Sequence, residues 1–287
     1  MKNINVSNLT FGYRINNSLF KNLNLQLEKG NIYGLLGLNG AGKSTLMKLI
    51  AGLLRPQDGS IDVFGYVPFR RDPDFLSDIY MISEEMFVPS IMEDEYVSSY
   101  APFYRAFDYN LFERCLSDFD VPRGKKLNRL SLGQKKKFLL SFGLACGSTL
   151  LVLDEPTNGL DIPSKGLFRR LVAESVNDER IIIISTHQVK DVESLIDPVI
   201  ILNNGRVVFT ASLMEIGRRI HMRRSFSPPE NQNGKLIYSE AVVGGYWSVW
   251  EGPDEEEGSV DMEVLFNSVI SSPDYFEKIL NGETVNE

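Results

Sequence analysis

The chain has 287 residues, 43% of them hydrophobic and 24% charged, with a formal net charge of −8; this suits a globular protein with a full core and disfavours a broad nucleic-acid surface. No apolar run approaches the roughly 18–20 residues of a membrane-spanning helix, and the start, Met1-Lys2-Asn3-Ile4-Asn5, lacks the apolar stretch of a secretory signal, so a cytoplasmic protein is expected. Cys115 and Cys146 stand apart from each other and from histidine, and read as ordinary thiols rather than a disulfide or zinc site.

From the N terminus, Ile4, Val6, Leu9, Phe11 and Tyr13, then Leu23, Leu25 and Leu27 beyond the polar turn Asn16-Asn17-Ser18, predict an antiparallel ribbon. Tyr13 ends its first strand; taken alone it reads as a core or edge aromatic, although its ring could stack on a purine. Residues 32–36 form an apolar run short enough for a buried strand. They lead into Gly37-Leu38-Asn39-Gly40-Ala41-Gly42-Lys43-Ser44-Thr45, which fits the phosphate-loop pattern GxxxxGK[ST] at every constrained position. Leu46, Leu49, Ile50 and Leu53 follow at helical spacing. Gly37, Gly40 and Gly42 let the backbone curl with its N–H groups inward, and the following helix adds positive field for an anion. Lys43 reaches for the β- and γ-phosphates of a nucleoside triphosphate and the Ser44 hydroxyl for Mg²⁺ beside them.

After a turn into a short strand at residues 57–65, the texture from about 74 to 146 becomes aromatic and helical, with Tyr96, Tyr100, Phe103, Tyr104, Phe107, Phe112, Leu116 and Phe119. This predicts a helical insertion whose aromatics are chiefly its own core, with some left for docking a partner. The basic run Lys135-Lys136-Lys137 within it reads as a solvated face. Residues 149–153 form a buried strand that runs out into Asp154, placed for the Mg²⁺ shell, and Glu155, placed beyond the metal as a general base. A second strand, 181–185, ends at Thr186-His187, and a third, 199–202, turns at Asn203-Asn204-Gly205 into a hairpin. Strands that end along one edge of a parallel sheet assemble one site. Beyond residue 211 the pattern predicts a helix over 212–224, a polar link to 234, strands at 235–243 and 246–251, an acidic turn at 254–258 and a last helix over 260–280. The expected fold is α/β: a P-loop NTPase core with an antiparallel β subdomain, a helical insertion and a small C-terminal α+β appendage, divided as 1–224 and 225–287.

Over roughly residues 3–210 several motifs, in order, resemble the ATP-binding subunit of an ABC transporter. Leu130-Ser131-Leu132-Gly133-Gln134 is similar to the family signature LSGGQ. Leu153-Asp154-Glu155-Pro156-Thr157-Asn158-Gly159-Leu160-Asp161 resembles the family's acidic strand and D-loop, and His187 falls at the switch histidine. The resemblance implies ATP and Mg²⁺, with Tyr13 stacked on adenine and Gly37, Asn39, Gly40, Ala41, Gly42, Lys43, Ser44 and Thr45 around the phosphates. It implies Glu155 and His187 as catalytic residues, and Ser44, Glu84 and Asp154 at the metal. Two subunits would pair head to tail, so that Ser131, Gly133 and Gln134 meet the ATP of the partner and Asp161 communicates across the dimer. Two departures stand out: Leu132 replaces the first signature glycine, and Glu84, in Tyr80-Met81-Ile82-Ser83-Glu84-Glu85, replaces the family's metal-linked glutamine while remaining an oxygen ligand.

The function so implied is a peripheral ATPase on the cytoplasmic face of a membrane. It would dimerise with a second copy or a paralogous subunit and drive a separately encoded integral-membrane permease. The aromatic run 96–107 resembles exporters of multidrug, peptide-antibiotic or lipid type. The alternative is a soluble ABC-type ATPase serving translation, DNA repair or regulation. One phosphate loop, a short insertion and net acidity disfavour it, and no nucleic-acid partner is expected.

Overall fold

Strands β1 (Ile4–Phe11) and β2 (Phe20–Leu27) pair antiparallel as their alternation predicts, placing Ile4, Val6, Leu9 and Phe11 beside Leu23, Leu25 and Leu27 in one buried layer. The computed structural model describes residues 3–14, 17–229, 235–252 and 260–280; the acidic turn expected at 254–258 and the end of the polar link lie outside them. Strand β3 (Asn31–Gly37) leads through the phosphate-loop segment into helix α1 (Lys43–Ile50), and β4 (Asp58–Val63) returns to the free edge of β1, giving a small sheet of order β2-β1-β4. A single turn, α2 (Pro73–Leu76), precedes β5 (Ile79–Ile82). Helices α3 (Glu93–Tyr100), α4 (Tyr109–Asp118) and α5 (Leu132–Ala145) follow, then β6 (Leu150–Asp154), α6 (Ile162–Glu174), β7 (Ile181–Thr186), β8 (Val199–Asn203) and β9 (Arg206–Ala211).

The main sheet has the order β5-β6-β7-β3-β8-β9, parallel except for β9, which closes the hairpin with β8. All residues of β6 and β7 are buried, as expected of strands covered on both faces. Register then decides what meets at the carboxyl edge: Asp154 lies opposite Ser185 and Leu36 opposite Thr186, so the phosphate loop, the acidic pair and His187 emerge side by side.

The helical stretch starts at α3, later than residue 74, because the apolar strand β5 hydrogen-bonds to β6 and belongs to the main sheet. Its aromatics do form their own core: Phe142 is fully buried and its ring meets those of Tyr80, Tyr96, Tyr104, Phe107 and Phe112 at centroid distances of 5.0–6.1 Å. Tyr100 and Phe103 point outward instead.

Two C-terminal expectations are corrected. The helix predicted over 212–224 is confined to α7 (Leu213–Gly217). Residues from Ile220 form strand β10 (Ile220–Ser225), in which Ile220 is buried and each residue pairs with the last strand of the chain's small sheet. A division at 224/225 therefore falls within a strand. With β11 (Leu236–Val242) and β12 (Gly245–Glu251) it makes an antiparallel sheet of order β10-β12-β11. The last helix is two, α8 (Met262–Ser271) and α9 (Pro273–Leu280), because a proline opens the second. Helix α8 packs on β8 and β11, and α9 on β9, where the Phe209 and Phe276 rings meet at 6.2 Å.

Candidate nucleotide site

A cavity of about 880 Å³ opens above the carboxyl edge of the main sheet, and Tyr13, Asn39–Thr45, Glu84, Glu155 and His187 line it. Its floor is the phosphate loop. Gly42 has φ +109°, and a Cβ there would stand 2.7 Å from the Phe20 ring, so both backbone and space demand glycine. Lys43 is buried and its Nζ donates to the Gly37 carbonyl at 2.7 Å. Burial pushes its ammonium down, opposed by the charges of Glu155, Asp154 and Glu84, so the lysine is a desolvated cation ringed by carboxylates. Tyr13 stands over the opposite wall, exposed, with its hydroxyl bonded to Thr45 Oγ1 at 3.0 Å and its ring edge-on to Phe11.

The acidic pair divides by environment. Asp154, nearly fully buried, accepts from Ser185 Oγ at 2.5 Å. Glu155 leaves the strand with φ +48°, a left-handed conformation that a non-glycine residue adopts at a cost of about 1–3 kcal/mol. Its N–H donates to the Ser185 carbonyl and hydroxyl at 3.2 and 3.1 Å, and its Oε1 meets His187 Nδ1 at 2.7 Å. Its Oε2 is buried without a partner. A buried carboxylate oxygen without a hydrogen-bond partner, on a residue that lines the cavity, is an acceptor suited to water or a metal-bound group.

Among the described residues no group of three or more His, Cys, Asp and Glu converges as a metal cage. Ser44, Asp154 and Glu84 offer hard oxygen donors beside the phosphate loop, which fits Mg²⁺, an ion that takes few protein ligands and completes its shell with phosphate and water.

Ser131, Gly133, Gln134 and Asp161 lie outside this cavity. Ser131 caps α5 in a reciprocal pair with Gln134: Ser131 Oγ accepts from the Gln134 N–H at 3.2 Å, and Gln134 Oε1 accepts from the Ser131 N–H at 3.0 Å. Asp161 caps α6 through the Ser164 N–H at 2.9 Å, and hydrogen bonding from Ser164 holds its carboxyl below the ordinary range. A Cβ on Gly133 would stand 2.8 Å from the Gly159 carbonyl, so the signature turn packs directly on the D-loop, and Leu132, although 63% exposed, has its Cδ2 within 4.0 Å of a Cβ built on Gly159. Ser131, Gly133 and Gln134 thus stand at the N-terminus of α5 and Asp161 at that of α6, where helix N–H groups are left without intrahelical partners.

Sequence reasoning missed several participants. Arg14, Asn17, Ser18 and Leu19 of the ribbon turn and Asn204 of the β8–β9 turn also line the cavity. Ser185 holds both members of the acidic pair. Lys136, read as part of a solvated run, is 2% exposed and its Nζ donates to the Glu155 carbonyl at 2.8 Å. The available signal was helical spacing, since Lys136 stands four and eight residues before the buried Leu140 and Leu144.

The family profile described as ABC transporter matches residues 20–158. An ABC transporter ATP-binding protein of Methanocaldococcus jannaschii is 30% identical over 251 residues, covering 84% of this chain and 89% of that protein. The bacitracin transport ATP-binding protein BcrA of Bacillus licheniformis is 27% identical over 283 residues, covering 92% of each chain. Among solved structures, an ATP-binding subunit of an ABC transporter superposes with a TM-score of 0.68 at 26% identity, covering 75% of this chain and 92% of that one.

Proposed function

The chain belongs to the family of ABC transporter ATP-binding subunits and is an ATP hydrolase of that kind, and from this premise we propose that it drives a separately encoded membrane permease, as an exporter, by closing and opening a head-to-tail dimer. The observation that carries this reading is the split of the machinery. The cavity gathers Tyr13, the phosphate loop, Glu155 and His187, whereas Ser131 and Gly133, at the start of α5, lie outside it. Each nucleotide would then be enclosed only when a second subunit presents its signature turn, and ATP acts as the adhesive.

In this reading Tyr13 stacks on adenine, Lys43 and the loop N–H groups hold the phosphates, and Ser44, Asp154 and Glu84 hold Mg²⁺, which supplies charge neutralisation on the β- and γ-phosphates. Glu155 orients and deprotonates the attacking water, with His187 fixing its carboxylate at Oε1 and leaving Oε2 for the water. Asp161 contacts the partner's half-site. An apolar groove of about 510 Å³ between the main sheet and the helical subdomain, walled by Leu53, Leu76, Met81, Tyr100 and Phe103, is the docking site for a permease segment. Among the described residues no helix is long and apolar enough to cross a membrane; in this reading the subunit meets its permease at the cytoplasmic face through that groove. A relative of matching length is named for bacitracin transport, which supports a cargo of that kind for this subunit.

The test is Glu155→Gln. It should retain ATP binding, hydrolyse at least about a hundredfold more slowly, and elute as an ATP-dependent dimer on size exclusion. Parental turnover would remove Glu155 from the role of base, and a monomer at saturating Mg·ATP would remove the shared-site reading.

A further inference from the structure

We propose that Lys136 is a positioning residue for hydrolysis: from the signature helix it holds the main chain of Glu155, so that the base stands correctly only when α5 is in place. The inference rests on Glu155 being the base. Lysine is among the residues least often fully buried, yet Lys136 is 2% exposed, and its Nζ donates to the Glu155 carbonyl at 2.8 Å. Burial lowers its ammonium, and the charges of Glu84, Glu155 and Asp154 oppose that shift. A methionine or leucine at this point of α5 would fill the volume without desolvating a charge. The cation is instead directed at one carbonyl, that of the residue with the left-handed backbone.

Glu155 is thereby held at three places. Ser185 receives its N–H, Lys136 donates to its carbonyl, and His187 holds Oε1 of its carboxylate. Two of these holds come from β7 and the residue that follows it; the third comes from α5. That helix begins at Leu132, directly after the Ser131 cap, so Lys136 lies about 7.5 Å along the axis from the cap at 1.5 Å per residue. One rigid helix therefore carries both the turn that meets the partner's nucleotide and the ammonium that sets the backbone of this subunit's base.

The experiment is a double-mutant cycle on the full chain, with Lys136→Met, Glu155→Gln and the double variant, reading kcat by phosphate release, ATP affinity and thermal melting. Lys136→Met should lower kcat by about tenfold or more with ATP affinity within about twofold of the parent, the signature of a contact that serves the transition state alone. In the Glu155→Gln background it should cause no further loss, because a residue that acts through Glu155 has nothing left to position. Lys136→Leu, which also removes the donor while filling the volume, provides the same comparison should the methionine variant fail to fold. Parental kcat in Lys136→Met, losses that multiply in the double variant, or parallel loss of ATP affinity would overturn the proposal, as would unfolding of both Lys136 variants. Parental turnover of Glu155→Gln alone would instead overturn the base assignment, so the two failures are distinct.

Discussion

Tyr13 offers the sharpest test of which nucleotide feature the cavity reads. The side chain is 65% exposed, so its replacement leaves the core intact; what it contributes locally is a hydroxyl bonded to Thr45 Oγ1 at 3.0 Å and an edge contact to Phe11 at 5.2 Å. Stacking of a base on an aromatic ring is worth about 1–3 kcal/mol, and a neutral hydrogen bond about 1 kcal/mol net. At 1.4 kcal/mol per tenfold, loss of the stack alone weakens ATP about 5- to 150-fold, while loss of the hydroxyl alone weakens it by less than about tenfold. Calorimetric titration in the Glu155→Gln background, which suppresses turnover, should therefore rank Tyr13→Phe close to the parent and Tyr13→Ala well below it for Mg·ATP. Inorganic triphosphate, which has no base, should bind both variants within the hydrogen-bond allowance. Equal losses on ATP and triphosphate, or parental ATP affinity in Tyr13→Ala, would refute stacking and reduce Tyr13 to a support for Thr45.

Two further outcomes follow from packing. Phe142→Ala removes the ring shared by five aromatic neighbours in a fully buried position and should cost about 3–5 kcal/mol in chemical denaturation; a cost under about 1 kcal/mol would mean that the subdomain is not organised on that ring. Cys115 and Cys146 are buried, and burial pushes the Cys115 thiol up to about 11 and that of Cys146 higher still. Neither should react with a thiol reagent at pH 8 in the native state, and both should react in denaturant. Rapid native labelling of either would show that the helical subdomain opens.

Much of this protein was legible before its three-dimensional structure because its chemistry is carried by contiguous segments. The phosphate loop needs its glycines, Lys43 and Ser44 in one stretch, and the acidic pair and His187 each follow an apolar strand, so local pattern predicts both the element and the residue at its end. The aromatics of the helical subdomain likewise follow the rule that a repeating apolar face becomes a core. The strand at 220–225 was not legible, since its partner, β12, lies some 25 residues later and its helical look comes from a short periodic run.

Lys136 shows the same limit at the site itself. Three consecutive lysines read as solvent-facing by composition, yet one of them points into the interior because α5 is buried on that side and the Glu155 carbonyl lies within reach. The sequence by itself marked out the phosphate loop, the acidic pair and His187 as candidates for a triphosphate and its metal, because those requirements are local. Only the tertiary structure decided which strand ends stand together, that the signature turn lies outside the cavity, and that a buried ammonium joins its helix to the Glu155 carbonyl. Those facts depend on register and on helix rotation, which are settled by contacts between segments far apart in the chain.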